Sequence, residues 1–527
     1  MTDDDTPNPL YPPQVRRWLP AVGLGLAILY GLAVNGHWAI RPDSGIYMTL
    51  GRSLAEGRGM EFCGRQSWGY PPLVPFLIAG CRWLAGQHAM WLINAMMSLF
   101  GIGTALAALG IVNRASVGET ERARIQLAVG TFLVVGVSAR LFGDATRVLT
   151  DVPFTFFLSL GLYFFLRARG GHWMWCLAGG LAVLAGTMTR PVMVVFVPAI
   201  LAAMALDLGR KGYGKRLAAT LAAVAVVAAG FVYWWVVLRS WSDPASADYG
   251  KTISGGYLSI LLPDRWSLMG REVARIPPAV CGALMDQRMT WNHVNLLWVL
   301  PVGIGLVAAG LRRQWLVVLP VAFYTAFLIA WGDGAMDDRY LLPLLPLLAY
   351  CLLVGVRVIV SGVTRLLRRG DAAERRAALA VTVAVGLCVA ISLVKNVSQT
   401  IRWARHEKFY KHYAHGEWRG IVEASEAIRK RDRPLATDVV ATKEGSAVHY
   451  LADLPVAVLP LWKPEGSGLG RRPPQEFAEV AAKGDFRFVI VPLDEAGWSD
   501  PTLEAVQKTG AFRPAQRFRD MALFECW

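Results

Sequence analysis

The sequence predicts a polytopic α-helical membrane protein of about eleven spanning helices, followed by a small C-terminal α/β domain. Three observations carry that prediction. Of 527 residues, 54% are hydrophobic and only 18% charged, where a soluble chain carries about 25% charged residues. Apolar runs alternate with short charged clusters up to about Lys395, and beyond it the composition becomes ordinary. The lysines and arginines gather in the short loops between runs, which is the pattern that orients membrane helices.

A spanning helix needs roughly 20 apolar residues. Eleven runs approach that length: 18–40, 90–112, 125–142, 152–166, 173–188, 192–205, 217–238, 294–311, 315–331, 340–360 and 377–394. Several are short and depend on tilt or on neighbours. The first follows Asp3, Asp4, Asp5, Arg16 and Arg17 and ends without a small-x-small cleavage site, so it reads as a retained helix.

The segment 71–86 is ambiguous, because it opens with Pro71 and Pro72 and contains Arg82. Charge decides it. If it does not cross, the N-terminus and the loops on its side (113–124, 167–172, 208–216, 312–314 and 361–376) hold eighteen lysines and arginines. The short loops opposite, at 140–151, 189–191 and 332–339, hold four. A crossing would reverse this bias, so the segment is expected to lie in the interface or to re-enter. The N-terminus is then cytoplasmic. Residues 1–395 form the membrane body with outer loops 41–89 and 239–292, and 396–527 form an extracytoplasmic domain.

The net charge of +15 would raise nucleic acid as a partner of a soluble chain. Here the excess sits in loops beside the lipid bilayer, and no nucleic-acid partner is expected. The seven cysteines form no C-x-x-C pair. Cys63, Cys281 and Cys526 fall on the outer side, where a disulfide is permitted, but no spacing selects a pair. In the tail, strands are expected at 434–440, 456–460, 486–492, 512–518 and 521–527. Helices are expected at 417–431, near 446–451, at 474–483 and near 501–509. It contains no Gly-rich phosphate loop.

Ionisable residues cluster on the outer side. Asp43 follows the first run, and residues 44–57 after it have helical spacing, with Ile46, Leu50 and Leu54 on one face and Arg52 and Glu56 turned away. That pattern suits an interfacial amphipathic helix. Asp144 and Asp151 share a turn with Arg140 and Arg147. Asp333, Asp337, Asp338, Arg339 and Tyr340 lie at the mouth of a later helix, and Arg190 stands between two apolar runs. Asp43 and Asp151 each suit a helix cap as well as chemistry. Arg190 suits a cavity lining as well as snorkelling to headgroups. Carboxylates that take a proton and arginines that absorb charge on a departing phosphate are what sugar transfer from a lipid phosphate requires. An oxocarbenium-like centre forms as the sugar leaves.

The stretches "PDSGIYMTLGRSLAEGRG" with "YPPLVPFLIAG", "LTDVPFTFFLSLGLYFF", "TMTRPVMVVFVPA" and "DRYLLPLLPLLAY" resemble membrane glycosyltransferases of the GT-C superfamily. Those enzymes use polyprenyl-phosphate sugars, and relatives include protein O-mannosyltransferases and lipid A aminoarabinose transferases. The resemblance covers roughly 20–210 and 330–350. It implies a catalytic acid at Asp43, a second acid at Asp151, and phosphate contacts from Arg190, Arg339 and Tyr340. Arg147 and Tyr70 join the expected substrate-binding set. Tyr70 stands where aminoarabinose transferases carry a lysine before Pro-Pro. Asp43–Ser44 replaces the paired acids of some relatives, which lessens the need for a metal: no metal ligand is assigned, and a divalent cation is compatible rather than demanded.

The expected partners are a polyprenyl-phosphate-linked sugar donor and an extracytoplasmic glycan, lipid or protein acceptor, with hexosyl or pentosyl transfer of inverting stereochemistry. A lipid-linked-sugar transporter or flippase, or a non-catalytic scaffold, is the alternative. His406, Glu407, His412 and His415 lack the H-E-x-x-H spacing of a zinc peptidase. The "NVS" at Asn396 is a weak glycan-acceptor signal.

Overall fold

The structure, a computed structural model, describes residues 13–405 apart from 37, 39–41, 63–64, 117–118, 171, 207–212, 243–265, 286–291, 332–337 and 367–369. It also describes 417–430, 508 and the tail strands given below. The helices are α1 (Pro13–Ala33), α2 (Pro42–Ala55), α3 (Leu73–Ala85), α4 (Ala89–Ala115), α5 (Glu121–Gly136), α6 (Ala139–Ala145), α7 (Asp151–Gly170), α8 (Met174–Thr187) and α9 (Phe196–Leu206). They continue with α10 (Tyr213–Val232), α11 (Trp266–Met285), α12 (Asn292–Leu311), α13 (Trp315–Trp331), α14 (Asp338–Leu341), α15 (Leu345–Leu366), α16 (Gly370–Arg405) and α17 (Glu417–Lys430).

The chain is a multi-pass helical membrane protein. Among the described residues, five helical segments are long and apolar enough to cross a bilayer, and α5 with α6 makes a sixth if the pair, bent by 46°, is one span. Each of the eleven expected runs overlaps an apolar helix. Five of them, represented by α1, α8, α9, α12 and α13, are apolar stretches shorter than a full span. At 13 residues, α3 is about 20 Å long, short of the roughly 30 Å hydrocarbon core.

Small residues let the helices approach closely, as expected where lipid removes the hydrophobic drive between them. The tightest contact joins α12 to α15. A Cβ on Gly305 would lie 1.8 Å from the Cys351 carbonyl oxygen, and one on Gly355 would lie 1.8 Å from that of Pro301. Because the obstacles are backbone, no rotamer relieves them. Gly305→Ala or Gly355→Ala is expected to cost about 1–3 kcal/mol or more, read as a lower thermal midpoint in detergent. Gly303→Ala on the same helix, whose Cβ meets nothing within 4 Å, is expected to leave the midpoint unchanged. Next to Cys351, Tyr350 donates to Gln314 Oε1 at 3.0 Å, and Gln314 Nε2 donates to the Ala115 carbonyl at 2.7 Å. This ties the 312–314 turn to the end of α4.

Several expectations are corrected. The 239–292 loop contains α11, which the Pro277–Pro278 pair disguised; proline inside a helix removes backbone donors. Its Ala279, Val280, Ala283 and Leu284 are buried. α2 is not one-sided: Ser44, Tyr47, Thr49 and Ser53 are buried along with Leu50. Its small polar residues pack in contact with other helices, and a Cβ on Gly51 would sit 2.4 Å from Ile78. Cys281 is a buried free thiol. Asn396 is buried and donates to the Val137 carbonyl at 2.9 Å, which leaves no room for a glycan. His406, Glu407, His412, His415 and Cys63 lie outside the described residues.

Between α2 and α3, β1 (Glu61–Phe62) pairs antiparallel with β2 (Arg65–Gln66). In the tail, β3 (Val440–Thr442), β4 (Val456–Val458), β7 (Phe488–Pro492), β8 (Phe512–Arg517) and β9 (Met521–Cys526) form one mixed sheet in the order β4-β3-β7-β9-β8. β3 pairs in parallel with β4 and β7, while β9 is antiparallel to β7 and β8. Ala424 and Ile428 of α17 are buried in one apolar cluster with Phe488, Ile490 and Leu523. A hairpin of β5 (Trp462–Glu465) and β6 (Gly468–Arg471) was not anticipated. The helices expected at 446–451 and 474–483 lie outside the described residues, as does the one near 501–509 apart from Lys508.

Candidate active site

The site is built on acids in the first turns of α2 and α7. Asp43 is the second residue of α2, after Pro42, and Asp151 is the first residue of α7. A carboxylate there is favoured by the positive end of the helix dipole. Both therefore lie within the first turn, and both carboxylates turn toward arginine. Arg190 precedes Pro191, which disfavours helical backbone for the residue before it. Arg190 is accordingly extended (φ −147°, ψ 121°). Arg339 lies in the one-turn helix α14, which a 3₁₀ turn at Leu342–Leu344 separates from α15.

These side chains converge. Arg339 Nη2 donates to Asp43 Oδ2 at 2.7 Å and to Asp151 Oδ2 at 3.0 Å, and Nε donates to the same Asp151 oxygen at 3.2 Å. Arg190 Nη1 donates to Asp151 Oδ1. The Arg190 guanidinium carbon lies 5.7 Å from the Tyr340 ring centre. A second arm joins through Asp338. Its Oδ1 accepts from the Arg339 amide at 2.9 Å, and its Oδ2 from Arg140 Nη1 at 3.2 Å. Arg140 also pairs with Asp144 at 3.0 Å, and Asp144 with Arg147 at 3.0 Å.

Among the described residues, four carboxylates thus pair with four arginines. Isolated buried charges would be strongly unfavourable, whereas a set of charge-assisted bonds offsets the loss of water. Exposure divides the roles. The Asp151 side chain is 0% exposed and anchors two arginines, whereas that of Asp43 is 49% exposed and can meet another molecule.

The structure therefore brings Asp43, Asp151, Arg190, Arg339 and Tyr340 together at one end of the bundle, with Arg147 on the second arm. Tyr70 is placed differently: it is buried in a small apolar cluster with Leu50 and Met60. Its loop is pinned beside the Arg190 turn by the Leu73 amide, which donates to the Met188 carbonyl at 3.0 Å. Asp333 and Asp337 lie outside the described residues.

The linking roles of Arg140, Asp144 and Asp338 were missed by sequence reasoning. The i, i+4 spacing of Arg140 and Asp144 was their signal. Trp38 was missed as well. Its indole donates to Ser44 Oγ at 3.0 Å, so the residue that replaces a second acid is engaged in the helix packing. Among the described residues no three His, Cys, Asp or Glu side chains gather as a cation ligand set. The acids are matched to arginines instead.

No family model matches the chain, and no curated protein matches it in sequence. Solved structures do match. ArnT from Cupriavidus metallidurans, in a structure bound to undecaprenyl phosphate, superposes with a TM-score of 0.62 at 13% identity, over 96% of this chain and 98% of that one. The oligosaccharyltransferase AglB from Archaeoglobus fulgidus, in complex with an inhibitory peptide and a dolichol-phosphate, superposes with a TM-score of 0.53 at 13% identity, over 90% of this chain and 70% of that one. The chain shares the fold of these structures. What is shared at this identity is the backbone arrangement, and the charged network is described from this chain's own contacts.

Proposed function

We propose that the chain is an integral membrane glycosyltransferase that moves a sugar from a polyprenyl-phosphate donor to an acceptor on the extracytoplasmic face. One observation carries the reading: Arg339 joins the half-exposed Asp43 to the buried Asp151, with Arg190 fixed behind it. The shared fold supports it, since ArnT is described bound to undecaprenyl phosphate and AglB to a dolichol-phosphate. In this proposal the N-terminus is cytoplasmic, and 396–527 is an extracytoplasmic α/β domain beside the acceptor.

The donor phosphate competes with Asp43 for the Arg339 guanidinium. Asp151 keeps Arg339 and Arg190 in place through that exchange, and Asp43 is released as general base. Its carboxylate takes the proton of the acceptor hydroxyl, and the acceptor oxygen bonds to the anomeric carbon. The bond from that carbon to the phosphate oxygen breaks, and its electron pair leaves on the polyprenyl phosphate. Arg339 and Arg190 stabilise the growing charge, with Tyr340 and Arg147 at the margin of the phosphate site. A single displacement of this kind inverts the anomeric centre.

The test uses purified full-length chain, a polyprenyl-phosphate sugar labelled in the sugar, and a membrane extract as the acceptor pool. The expected result is label in acceptor and unlabelled polyprenyl phosphate as the second product. A carrier would move intact donor across a vesicle without breaking that bond, and a scaffold would do neither. Label that stays on the polyprenyl phosphate throughout would end the reading.

A further inference from the structure

The far end of the bundle holds a second group of charges. Arg357 lies eighteen residues beyond Arg339 on the same helical run, about 27 Å away at helical rise. There, Arg122 of α5, Arg357 of α15 and Arg375 of α16 line one pocket with Gln126. Ala123 and Ala378 complete the wall, and their small side chains leave the space open. Glu119 is bonded to Arg312 and stands 3.4 Å from Arg357. Neither Arg122 nor Arg375 pairs with a described acid. Like charges held in one pocket repel each other, and an anion between them removes that cost.

Guanidinium groups from three helices suit the several oxygens of a phosphate better than a single carboxylate. The surroundings indicate where that phosphate comes from. Arg375 opens the apolar span Arg375–Ser398, of which only 22% is buried within the chain. Directly beyond it Leu379, Val383 and Leu387 are exposed at 64%, 52% and 54%. Their spacing of four residues makes one stripe along α16. An acyl chain lying on that stripe would bring its headgroup to the pocket mouth. Basic pockets between membrane helices hold anionic headgroups in this manner.

We propose that Arg122, Arg357 and Arg375 form a binding site for the phosphate of an anionic lipid, separate from the Asp43–Arg339 network and at the opposite end of the helices. The site holds α5, α15 and α16 together through a lipid and does not depend on the sugar-transfer reading.

Native mass spectrometry of the purified full-length chain, with phosphatidylglycerol or phosphatidylcholine added, tests it. Wild type is expected to retain phosphatidylglycerol over phosphatidylcholine. The Arg122→Gln/Arg375→Gln double variant is expected to lose that retention by roughly tenfold or more. Equal retention of the two lipids, or equal phosphatidylglycerol retention by wild type and variant, would overturn the site. Excess inorganic phosphate that stabilises the wild type thermally while no lipid is retained would assign the pocket to soluble phosphate and overturn the lipid source. Both substituted arginines are exposed, so the lipid-free variant is expected to melt as lipid-free wild type does. If it misfolds, the salt dependence of wild-type retention decides: a fall with salt supports the site, and indifference to salt overturns it.

Discussion

Replacing Asp43 by Asn is expected to lower the proposed sugar transfer by about 10²–10⁴-fold, the range for loss of a positioned general base, while abundance and thermal midpoint stay at wild-type values. Asn has the shape of Asp and still accepts a bond from Arg339. It has no basicity with which to take an acceptor proton. Stability is spared because the Asp43 side chain is half exposed, and such pairs contribute about 0–1 kcal/mol. The labelled-donor assay gives the rate, and size-exclusion profile with melting gives the fold. Full turnover by the variant would remove Asp43 as the base and leave it only the task of orienting Arg339.

Asp151→Ala produces the opposite balance: the protein itself is destabilised. Asp151 is fully buried and accepts from both Arg190 and Arg339. Its removal takes a fully buried counter-charge from both guanidinium groups, and breaking such a pair costs roughly 3–5 kcal/mol. Cys81, Cys176, Cys281, Cys351 and Cys388 are buried free thiols, so a thiol-reactive dye reports unfolding directly. The midpoint is expected to fall well below that of Asp43→Asn. Adding Arg190→Gln to Asp151→Ala removes one of the two charges that lost this counter-charge. It is expected to recover part of the midpoint without recovering transfer, because Arg339 still lacks its bond to Asp151. An Asp151→Ala midpoint equal to wild type would mean that water already screens the network, and the division of roles between the two acids would fail.

Hydropathy carried the larger architecture. A run such as 90–112 or 377–394 carries no charged residue, and lipid is the solvent that tolerates that at spanning length. Charge bias and not length set 71–86 apart from the expected spans, since α3 has 13 residues and α8 has 14. Local rules also placed an acid in the first turn of α2 and of α7. The hidden pieces were those whose composition misleads. α11 carries two prolines in a row, and α2 buries serines and threonines that resemble a wetted face.

By itself, then, the sequence determined that the chain is a multi-pass helical protein, which turns are rich in charge, and which acids begin helices. These follow from composition and from periodicity over tens of residues. Only the tertiary structure decided which charges meet. Arg339 reaches Asp43 across 296 residues and Asp151 across 188, and no local rule encodes such a pairing. It arises because the close approach of glycine-bearing helices sets where each turn emerges, and buried charges must then find counter-charges among whatever the packing presents.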